Sequence, residues 1–287
     1  MSQVRIKPFF HTSSNTYSYV VVEGRGDHCV IIDSVLDYDP KSGRTSTKAA
    51  GEIIEHVRRH DLIVDWILET HPHADHVTAA PHLKQELGGK IGIGIGICQV
   101  QEKFKSIFNL GDEFATDGRQ FDHLFEEGER FGFGGATGNI WCCPGHTPAC
   151  VCYLIDDAVF VGDTIFMPDF GSARCDFPDG DARTLFRSVQ RLLSLPPETR
   201  LFMCHDYGPG GRQYMWETTV EEQRHSNKHM RDGVGEEEFV AMRIARDREL
   251  DMPVLLLPAI QINIRGGQFP PVEGNGISYL KMPLNAV

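Results

Sequence analysis

One short segment constrains this chain more than any other: residues 71–76 read His-Pro-His-Ala-Asp-His and follow an apolar run. Such a run predicts a buried strand, so three imidazoles and a carboxylate lie where the chain leaves a sheet. Side chains two residues apart in an extended segment face the same side, which lets His71 and His73 aim at one point. If a helix begins near Asp75, then Asp75 and His76 turn toward a second point nearby.

Imidazole and carboxylate are metal-ligand types, and neutral imidazole suits Zn, Fe, Cu or Ni. A polar loop of capping histidines is the alternative for this segment on its own. Three later segments favour a metal, because each places a His or an Asp just past an apolar strand, where ligand-binding groups gather in layered α/β folds. They are Gly145-His146-Thr147, Gly162-Asp163-Thr164 and His205-Asp206. The sequence therefore predicts one metal centre built from all four segments.

The order H-x-H-x-D-H, G-H-T, G-D-T and C-H-D-Y resembles the metallo-β-lactamase superfamily over nearly the whole chain, from about Tyr17 to Pro283. The resemblance implies an α/β fold, a four-layer αββα sandwich, with the metal site at the edge of the two sheets. The superfamily's seven ligand positions fall on His71, His73, Asp75, His76, His146, Asp163 and His205. Fold alone does not decide the activity, because one fold hosts many reactions.

Hydrophobic periodicity and turn residues agree with layers of strands and helices. Strands are predicted for Tyr17–Val22, Cys29–Asp33, Ile63–Leu68, Lys90–Ile97, Gly138–Cys142, Cys150–Ile155, Ala158–Val161 and Leu201–Cys204. Helices are predicted for Thr47–His60, Ala80–Leu87, Ala182–Leu193, Thr218–Met230 and Glu236–Glu249. The run Lys90–Ile97 alternates Gly and Ile, which indicates a strand with one smooth face. We expect a single domain over residues 1–287, with a loop-rich C-terminal appendage at about 251–287.

Two subfamilies compete for the activity. Four local elements resemble the persulfide (sulfur) dioxygenase group: HADH ending at His76, Ala173–Phe177, Val220–Arg224 and Asn263–Gly267. Within that group, the run that begins GDTIFMPDF resembles a bacterial branch called β-lactamase-like hydrolase. The group oxidises glutathione persulfide with O₂ and water to sulfite and glutathione at a single iron. The alternative is glyoxalase II, which hydrolyses an acylated glutathione with a dinuclear metal site.

The dioxygenase resemblance implies one Fe(II) per chain, held by His71, His146 and Asp163. Two His and one carboxylate form the open facial triad of non-haem oxygenases. His205 is expected to join these three as a catalytic residue. The remaining ligand-type side chains are His73, Asp75, His76 and His205. In a dioxygenase they would orient ligands or hydrogen-bond oxygen species. In the hydrolase they would hold a second metal ion, such as zinc, that generates hydroxide.

Glutathione carries two carboxylates, for which arginine is the natural bidentate partner. By resemblance, Arg174, Arg224 and Asn263 occupy the substrate-binding positions. Taken alone, each arginine reads as a solvated surface charge. The expectation that these three residues bind substrate therefore depends on the matching sequence context.

The acidic balance of the chain limits its partners. A net charge of −12 and a pI of about 5.5 disfavour nucleic acid and anionic membranes. We expect a small-molecule substrate, and the sequence leaves a homodimer open. Eight cysteines without a C-x-x-C pair are expected to be reduced and buried, and a redox sensor built on them is a third alternative. The N-terminus has no apolar signal-peptide core and no run of about 18 apolar residues occurs, which predicts a cytoplasmic protein.

Overall fold

The computed structural model describes residues 4–285, so the parts of the terminal predictions on residues 1–3 and 286–287 lie outside the described residues. The strands are β1 (Arg5–His11), β2 (Thr16–Val22), β3 (His28–Ile32), β4 (Val35–Asp39), β5 (Arg44–Ser46), β6 (Ile63–Leu68), β7 (Val77–Thr78), β8 (Lys90–Gly94), β9 (His123–Phe125), β10 (Arg130–Phe133), β11 (Ala136–Cys142), β12 (Val151–Ile155), β13 (Ala158–Phe160), β14 (Arg200–Phe202) and β15 (Glu217–Thr219). The helices are α1 (Lys48–Arg59), α2 (Ala80–Leu87), α3 (Ile97–Ile107), α4 (Ala182–Leu192), α5 (Val220–Ser226), α6 (Glu236–Asp247) and α7 (Leu256–Asn263). Among residues 4–285, no helix combines the length and the apolar character needed to cross a membrane.

Two six-stranded sheets form the centre of the structure. The first has the strand order β1-β2-β3-β6-β8-β9 and the second the order β10-β11-β12-β13-β14-β15. Their facing sides share one apolar core, in which Val21 and Leu68 of the first sheet lie with Phe131 and Tyr153 of the second. A small third sheet joins β4 to β5 and β7.

Helices cover the outer side of each sheet. Apolar residues of α1, α2, α3 and α7 form one cluster with the first sheet, where Ile53 and Ile31 are both buried. Apolar residues of α4, α5 and α6 form another cluster with the second sheet, where Leu185 and Val159 are buried. The order helix, sheet, sheet, helix confirms the predicted αββα sandwich.

Strand β2 shows how the sequence builds two cores at once. All seven side chains of Thr16–Val22 are buried. Val20 and Val22 belong to the helix-side core, whereas Tyr19 and Val21 belong to the core between the sheets. This alternation follows the period of two along a strand. Because both faces are covered, the run is largely apolar instead of alternating with polar residues.

The Gly-Ile run has a structural reason in the spacing of the two sheets. Ile91 and Ile93 belong to the helix-side core, and Gly92 and Gly94, which alternate with them, face the second sheet. A Cβ atom on Gly94 would lie 2.5 Å from Val151 Cγ1 and 2.9 Å from the backbone oxygen of Ala149. The smooth face predicted from the sequence therefore lets the second sheet approach β8 closely.

The structure corrects three predicted segments. The strand predicted for Lys90–Ile97 ends at Gly94, and α3 follows it, a helix that the sequence analysis did not predict. The helix predicted for Thr218–Met230 is shorter, because its first residues pair with β14 as part of β15. The predicted appendage contains α7, whose Ile260 is fully buried in the helix-side core. The other predicted helices and strands agree with the structure within two residues at either end.

The ligand segments meet at one edge of the sandwich. Strands β13 and β14 are parallel, so Asp163 and His205 follow the carboxyl ends of neighbouring strands. In the first sheet, β6 ends shortly before His71. A β-bridge between Thr16 and His205 joins the two sheets at this edge.

Gly94→Ala should lower the free energy of unfolding by about 1–3 kcal/mol, the usual cost of overpacking a core. Val151 and the backbone of Ala149 leave no room there for a methyl group. Gly51→Ala in α1 is the matched control, because a Cβ atom there meets nothing within 4 Å. Removing a helix-interior glycine should raise stability by about 0.5–1 kcal/mol. Urea unfolding measures both variants, and unchanged stability of Gly94→Ala would contradict the close approach.

Candidate metal centre

The three side chains predicted as iron ligands come together in the structure. Asp163 Oδ2 lies 3.8 Å from His71 Nε2 and 3.7 Å from His146 Nε2. The ligand atoms of the three residues all lie within 4.8 Å of one another, and each residue is more than nine-tenths buried. One cation between them would contact all three.

A second group of donors lies on the other side of Asp163. His205 Nε2 is 3.3 Å from Asp163 Oδ1 and 3.4 Å from Asp75 Oδ2. Asp75 Oδ1 is in turn 3.4 Å from His76 Nδ1. The two oxygens of Asp163 thus face two donor groups, the two ligand histidines on one side and the His205–Asp75 pair on the other.

Hydrogen bonds to the far ring nitrogens hold the ligand histidines in place. His146 Nδ1 donates to the backbone oxygen of Arg174 at 2.7 Å, which leaves the lone pair on Nε2. His71 Nδ1 lies 3.1 Å from Thr70 Oγ1, whose own hydrogen goes to Asp33 Oδ2 at 2.8 Å. Such partners fix the tautomer and orientation of the ring and are typical of metal-bound histidines.

His73 is held differently from its neighbours. Its Nε2 lies 3.0 Å from Asp33 Oδ1 and 3.4 Å from Glu69 Oε2. Burial would lower the pKa of His73, but these two carboxylates outweigh it and raise the pKa well above its ordinary value. The ring centres of His71 and His73 are 4.1 Å apart, yet the structure places their ligand atoms in separate groups.

Electrostatics keep two of the other histidines neutral. Burial lowers the pKa of His71 well below its ordinary value, and the surrounding imidazoles lower it further. Burial likewise lowers the pKa of His76 to about 4, and His73 adds to this effect. Desolvation disfavours the charged imidazole, and the neutral form is the one that binds metal ions.

Buried polar atoms without a hydrogen-bond partner cluster at this centre. Among residues 4–285 they include His71 Nε2, His73 Nδ1, Asp75 Oδ2, His76 Nε2, Asp163 Oδ1 and His205 Nε2. Each unpaired buried atom costs about 1–3 kcal/mol, so this many in one place fit a metal ion. The imidazoles and carboxylates suit iron, zinc or another first-row metal. Cys204 lies close by, but burial raises the pKa of its thiol well above its ordinary value, which disfavours the thiolate that binds metals.

A cavity of about 660 Å³ opens onto the centre. Apolar side chains such as Phe166 and Leu255 line it together with Arg174, Arg243 and Arg246. Arg174 and Arg243 are paired with Asp176 and Asp247, and Asp75 and Asp163 of the centre line the same cavity. The cavity therefore has the size for a small molecule and carries arginines beside the carboxylates of the centre.

The structure separates the two arginines predicted to bind substrate. Arg174 lines the cavity, where its guanidinium forms a two-pronged pair with Asp176 and donates to the backbone oxygen of Asp251 at 2.7 Å. Arg224 is exposed, pairs with Asp232 at 3.0 Å and is not part of the cavity lining. The structure therefore does not place Arg224 at this cavity, and its role in binding substrate stays a prediction.

Asn263 also has a role other than the predicted one. It is buried, and its amide nitrogen donates to the backbone oxygens of His73 at 2.7 Å and His76 at 2.8 Å. Its side-chain oxygen accepts from the backbone nitrogen of Thr78 at 3.0 Å. Asn263 therefore fastens the metal-binding loop, residues 70–76, to α7 and is not among the residues that line the cavity.

Sequence reasoning missed several residues of the centre. Asp33 directly follows β3, so the rule that places ligands after strands could have indicated it. Arg243 is a charged residue within a charge-rich helical segment, and nothing local marks it as buried. Thr16, whose hydroxyl oxygen lies 3.3 Å from His205 Nδ1, begins an apolar strand and gave no signal.

This chain belongs to the metallo-β-lactamase superfamily, whose family model matches residues 12–205. That range contains every histidine and carboxylate of the two donor groups. The family, the fold and the donor groups together define an enzyme of the metallo-hydrolase superfamily.

Named relatives extend the comparison over the whole chain. A "Probable metallo-hydrolase" of Burkholderia pseudomallei is 50% identical, with 98% of this chain and 99% of that protein covered. "Glyoxylase B2" of Dictyostelium discoideum is 49% identical, with 99% and 98% covered. "Persulfide dioxygenase ETHE1, mitochondrial" of Homo sapiens is 28% identical, with 92% and 89% covered. The solved structure of ETHE1 from Myxococcus xanthus has a TM-score of 0.73 and 26% identity, with 92% of this chain and 100% of that chain covered.

Asn263→Ala removes two hydrogen bonds to the metal-binding loop. It should lower metal affinity about 10–100-fold, as changes around metal ligands do, and the free energy of unfolding by about 1–3 kcal/mol. Arg224→Ala is the control, because its ion pair is exposed and outside the cavity, and it should leave both quantities unchanged. Metal titration and urea unfolding measure the effects. Equal metal affinity in the two variants would show that the loop does not depend on Asn263.

Proposed function

We propose that this chain is a persulfide dioxygenase, which oxidises glutathione persulfide with O₂ and water to sulfite and glutathione at one non-haem iron. The observation that carries the proposal is the grouping of His71, His146 and Asp163 apart from His73. Two imidazoles and one carboxylate leave several positions of an Fe(II) ion open, as in non-haem oxygenases. His73 has its Nε2 beside two buried carboxylates, and it belongs to a separate group of possible ligands with Asp75 and His76.

The named relatives support the proposal unequally. The persulfide dioxygenase of Homo sapiens and ETHE1 from Myxococcus xanthus favour it, although they are the more distant relatives. The relatives near half identity carry the names of a hydrolase and a glyoxylase. Because one fold serves several reactions, the donor geometry weighs more in the proposal than these names.

The residues of the chain divide the work of this reaction. His71, His146 and Asp163 would hold the iron, and iron supplies the redox chemistry by which O₂ reacts with sulfur. Arg174 and Arg246 on the cavity wall provide positive charge for the carboxylates of glutathione. Holding the persulfide in the cavity beside the centre turns an encounter of separate molecules into a local step.

The cysteines support a reducing compartment for this activity. All eight are free thiols, and six of them are buried. Proteins of the cytoplasm keep their thiols reduced, so a cytoplasmic location is part of the proposal.

Hydrolysis of an acylated glutathione, the reaction of glyoxalase II, is the second candidate. The position of Asp163 favours it, because its two oxygens lie 3.3 to 3.8 Å from nitrogens of two separate donor groups. Asp163 would then supply an oxygen to each of the two donor groups. A second ion held by Asp75, His76 and His205, such as zinc, would serve hydrolysis.

Metal content and activity decide between the two reactions. Protein supplied with iron should hold about one iron per chain, as a facial triad does. It should consume O₂ when glutathione persulfide is added, and a chelator that removes the iron should abolish the uptake. Metal analysis and an oxygen electrode make the two measurements. Two zinc ions per chain, no O₂ uptake and rapid hydrolysis of an acylated glutathione would contradict the proposal.

Substitution of single ligands tests which donor group matters. His146→Ala removes a ligand of the first group and should lose bound iron together with nearly all activity. His205→Ala should keep the iron and lose activity about 10–100-fold, the usual effect of residues around a ligand set. Iron and O₂ uptake are measured on both variants. Equal loss of metal from the two would indicate a dinuclear centre.

A further inference from the structure

A line of hydrogen-bonding side chains leads away from the metal centre. Thr16 Oγ1 lies 3.3 Å from His205 Nδ1 and 3.4 Å from His76 Nδ1. On its other side, Thr16 Oγ1 is 2.7 Å from Ser14 Oγ. Ser14 Oγ is also 2.7 Å from His11 Nδ1. The line therefore runs from the inner imidazoles through two hydroxyl groups to a third imidazole.

His11 and Ser14 lie on the wall of the cavity at the metal centre, and His11 also lines a second, smaller cavity. His11 Nε2 lies 3.5 Å from Asp37 Oδ1, and the two side chains are 17% and 25% exposed. A cavity of about 190 Å³ adjoins them, and its charged lining residues besides Asp37 are Lys48 and Glu52 of α1. Within the described residues, these three charged groups share this cavity with His11, and water has access to them.

The fold sets this line up through the first hairpin. His11 and Thr16 are directly opposite each other in the pairing of β1 with β2. The turn between them brings Ser14 back so that its hydroxyl lies between the two side chains. The bridge between Thr16 and His205 then fixes the inner end against the second sheet.

The reaction at the centre needs a route for protons. Oxidation of R–S–SH by O₂ and water gives R–SH and H₂SO₃, in which the terminal sulfur is oxidised and O₂ is reduced. Sulfurous acid ionises at neutral pH, so each turnover releases protons. Hydrolysis of a thioester also releases a proton, because its acid product ionises. Side chains that can both accept and donate a proton provide such a route beside the open cavity.

We propose that Thr16, Ser14 and His11 form a proton-transfer line from the metal centre to Asp37 and the water of the outer cavity. The inference rests on the proposed function, which supplies the protons. His205 Nδ1 gives its hydrogen to Thr16 Oγ1 and takes one up at Nε2 from the centre, while the hydrogen of Thr16 passes to Ser14 Oγ and that of Ser14 passes to His11 Nδ1. The hydrogen on His11 Nε2 then leaves toward Asp37 or water. Each step forms one O–H or N–H bond and breaks another, so no further reactant is needed.

His11 acts on the reaction only through Ser14 and Thr16. The experiment must therefore distinguish a role in proton transfer from a structural role in holding the β1–β2 hairpin. His11→Ala should lower kcat at least about tenfold at low buffer concentration, a modest loss for a group that moves protons. KM and bound metal should stay unchanged. Added imidazole should restore kcat, because a diffusing base in the outer cavity replaces the missing ring.

Two further variants complete the experiment. Ser14→Ala should also lower kcat. Imidazole should not restore it, because the line is then broken between Thr16 and His11, and His11 itself is still present. His82→Ala is the matched control, since His82 on α2 lines neither cavity, and it should match the unchanged protein. Unchanged kcat in His11→Ala would show that protons leave elsewhere. A lowered kcat that imidazole does not restore would show that His11 only holds the hairpin, and either result overturns the proposal.

The failure of this proposal is distinguishable from the failure of the proposed function. The unchanged protein is assayed first for O₂ uptake with glutathione persulfide. If it shows none, the dioxygenase proposal fails, and the variants are compared by thiol release from an acylated glutathione. Both reactions release protons, so the effect of imidazole on His11→Ala decides the proton-transfer line in either case.

Discussion

The metal-binding loop depends on one buried carboxylate, that of Asp33. It accepts hydrogen bonds from the backbone nitrogen and the hydroxyl of Thr70 at 2.7 and 2.8 Å and lies 3.0 Å from His73 Nε2. Burial would raise the pKa of Asp33, but His73 and Thr70 outweigh it and lower the pKa. A buried charge costs several kcal/mol unless it is paired, so the loop is held where it satisfies this carboxylate. That position determines how His71 faces Asp163.

The ligand segments were predictable because each leaves a local mark in the sequence. His146, Asp163 and His205 all follow apolar strands, and the layers that carry them follow from the periods of strands and helices. The role of Asn263 was not predictable in the same way. Its helix is mostly apolar and contains a proline in its first turn, where proline is tolerated although in a sequence it indicates a loop. The distance of Arg224 from the cavity is likewise set by how α5 packs, which no local pattern records.

Two reactions, oxidation of a persulfide and hydrolysis of a thioester, are candidates for the same fold. The reason is that the donors around Asp163 form two groups that differ in charge and surroundings. The first group has neutral imidazole in His71 and an open cavity beside it. In the second, burial would raise the pKa of Asp75, but His205 and His76 outweigh it and hold the pKa well below its ordinary value. A carboxylate kept charged in this way either attracts a second ion or restrains two imidazoles by hydrogen bonding. The difference between a hydrolase and an oxygenase thus depends on a few side chains, while the fold stays the same.

The hydrogen bonds from Asn263 to the metal-binding loop join two parts of the chain that the ribosome synthesises at different times. Asn263 lies 190 residues after His73, whose backbone oxygen it holds. Chains are synthesised and begin to fold from the N-terminal end, so the ligand-rich loop exists long before the amide that closes it. The hydrogen bonds that hold this loop therefore form late in the synthesis of the chain. A ribosome-bound chain that lacks α7 already contains the ligands for the metal, but it does not yet contain Asn263, whose hydrogen bonds hold their loop in place.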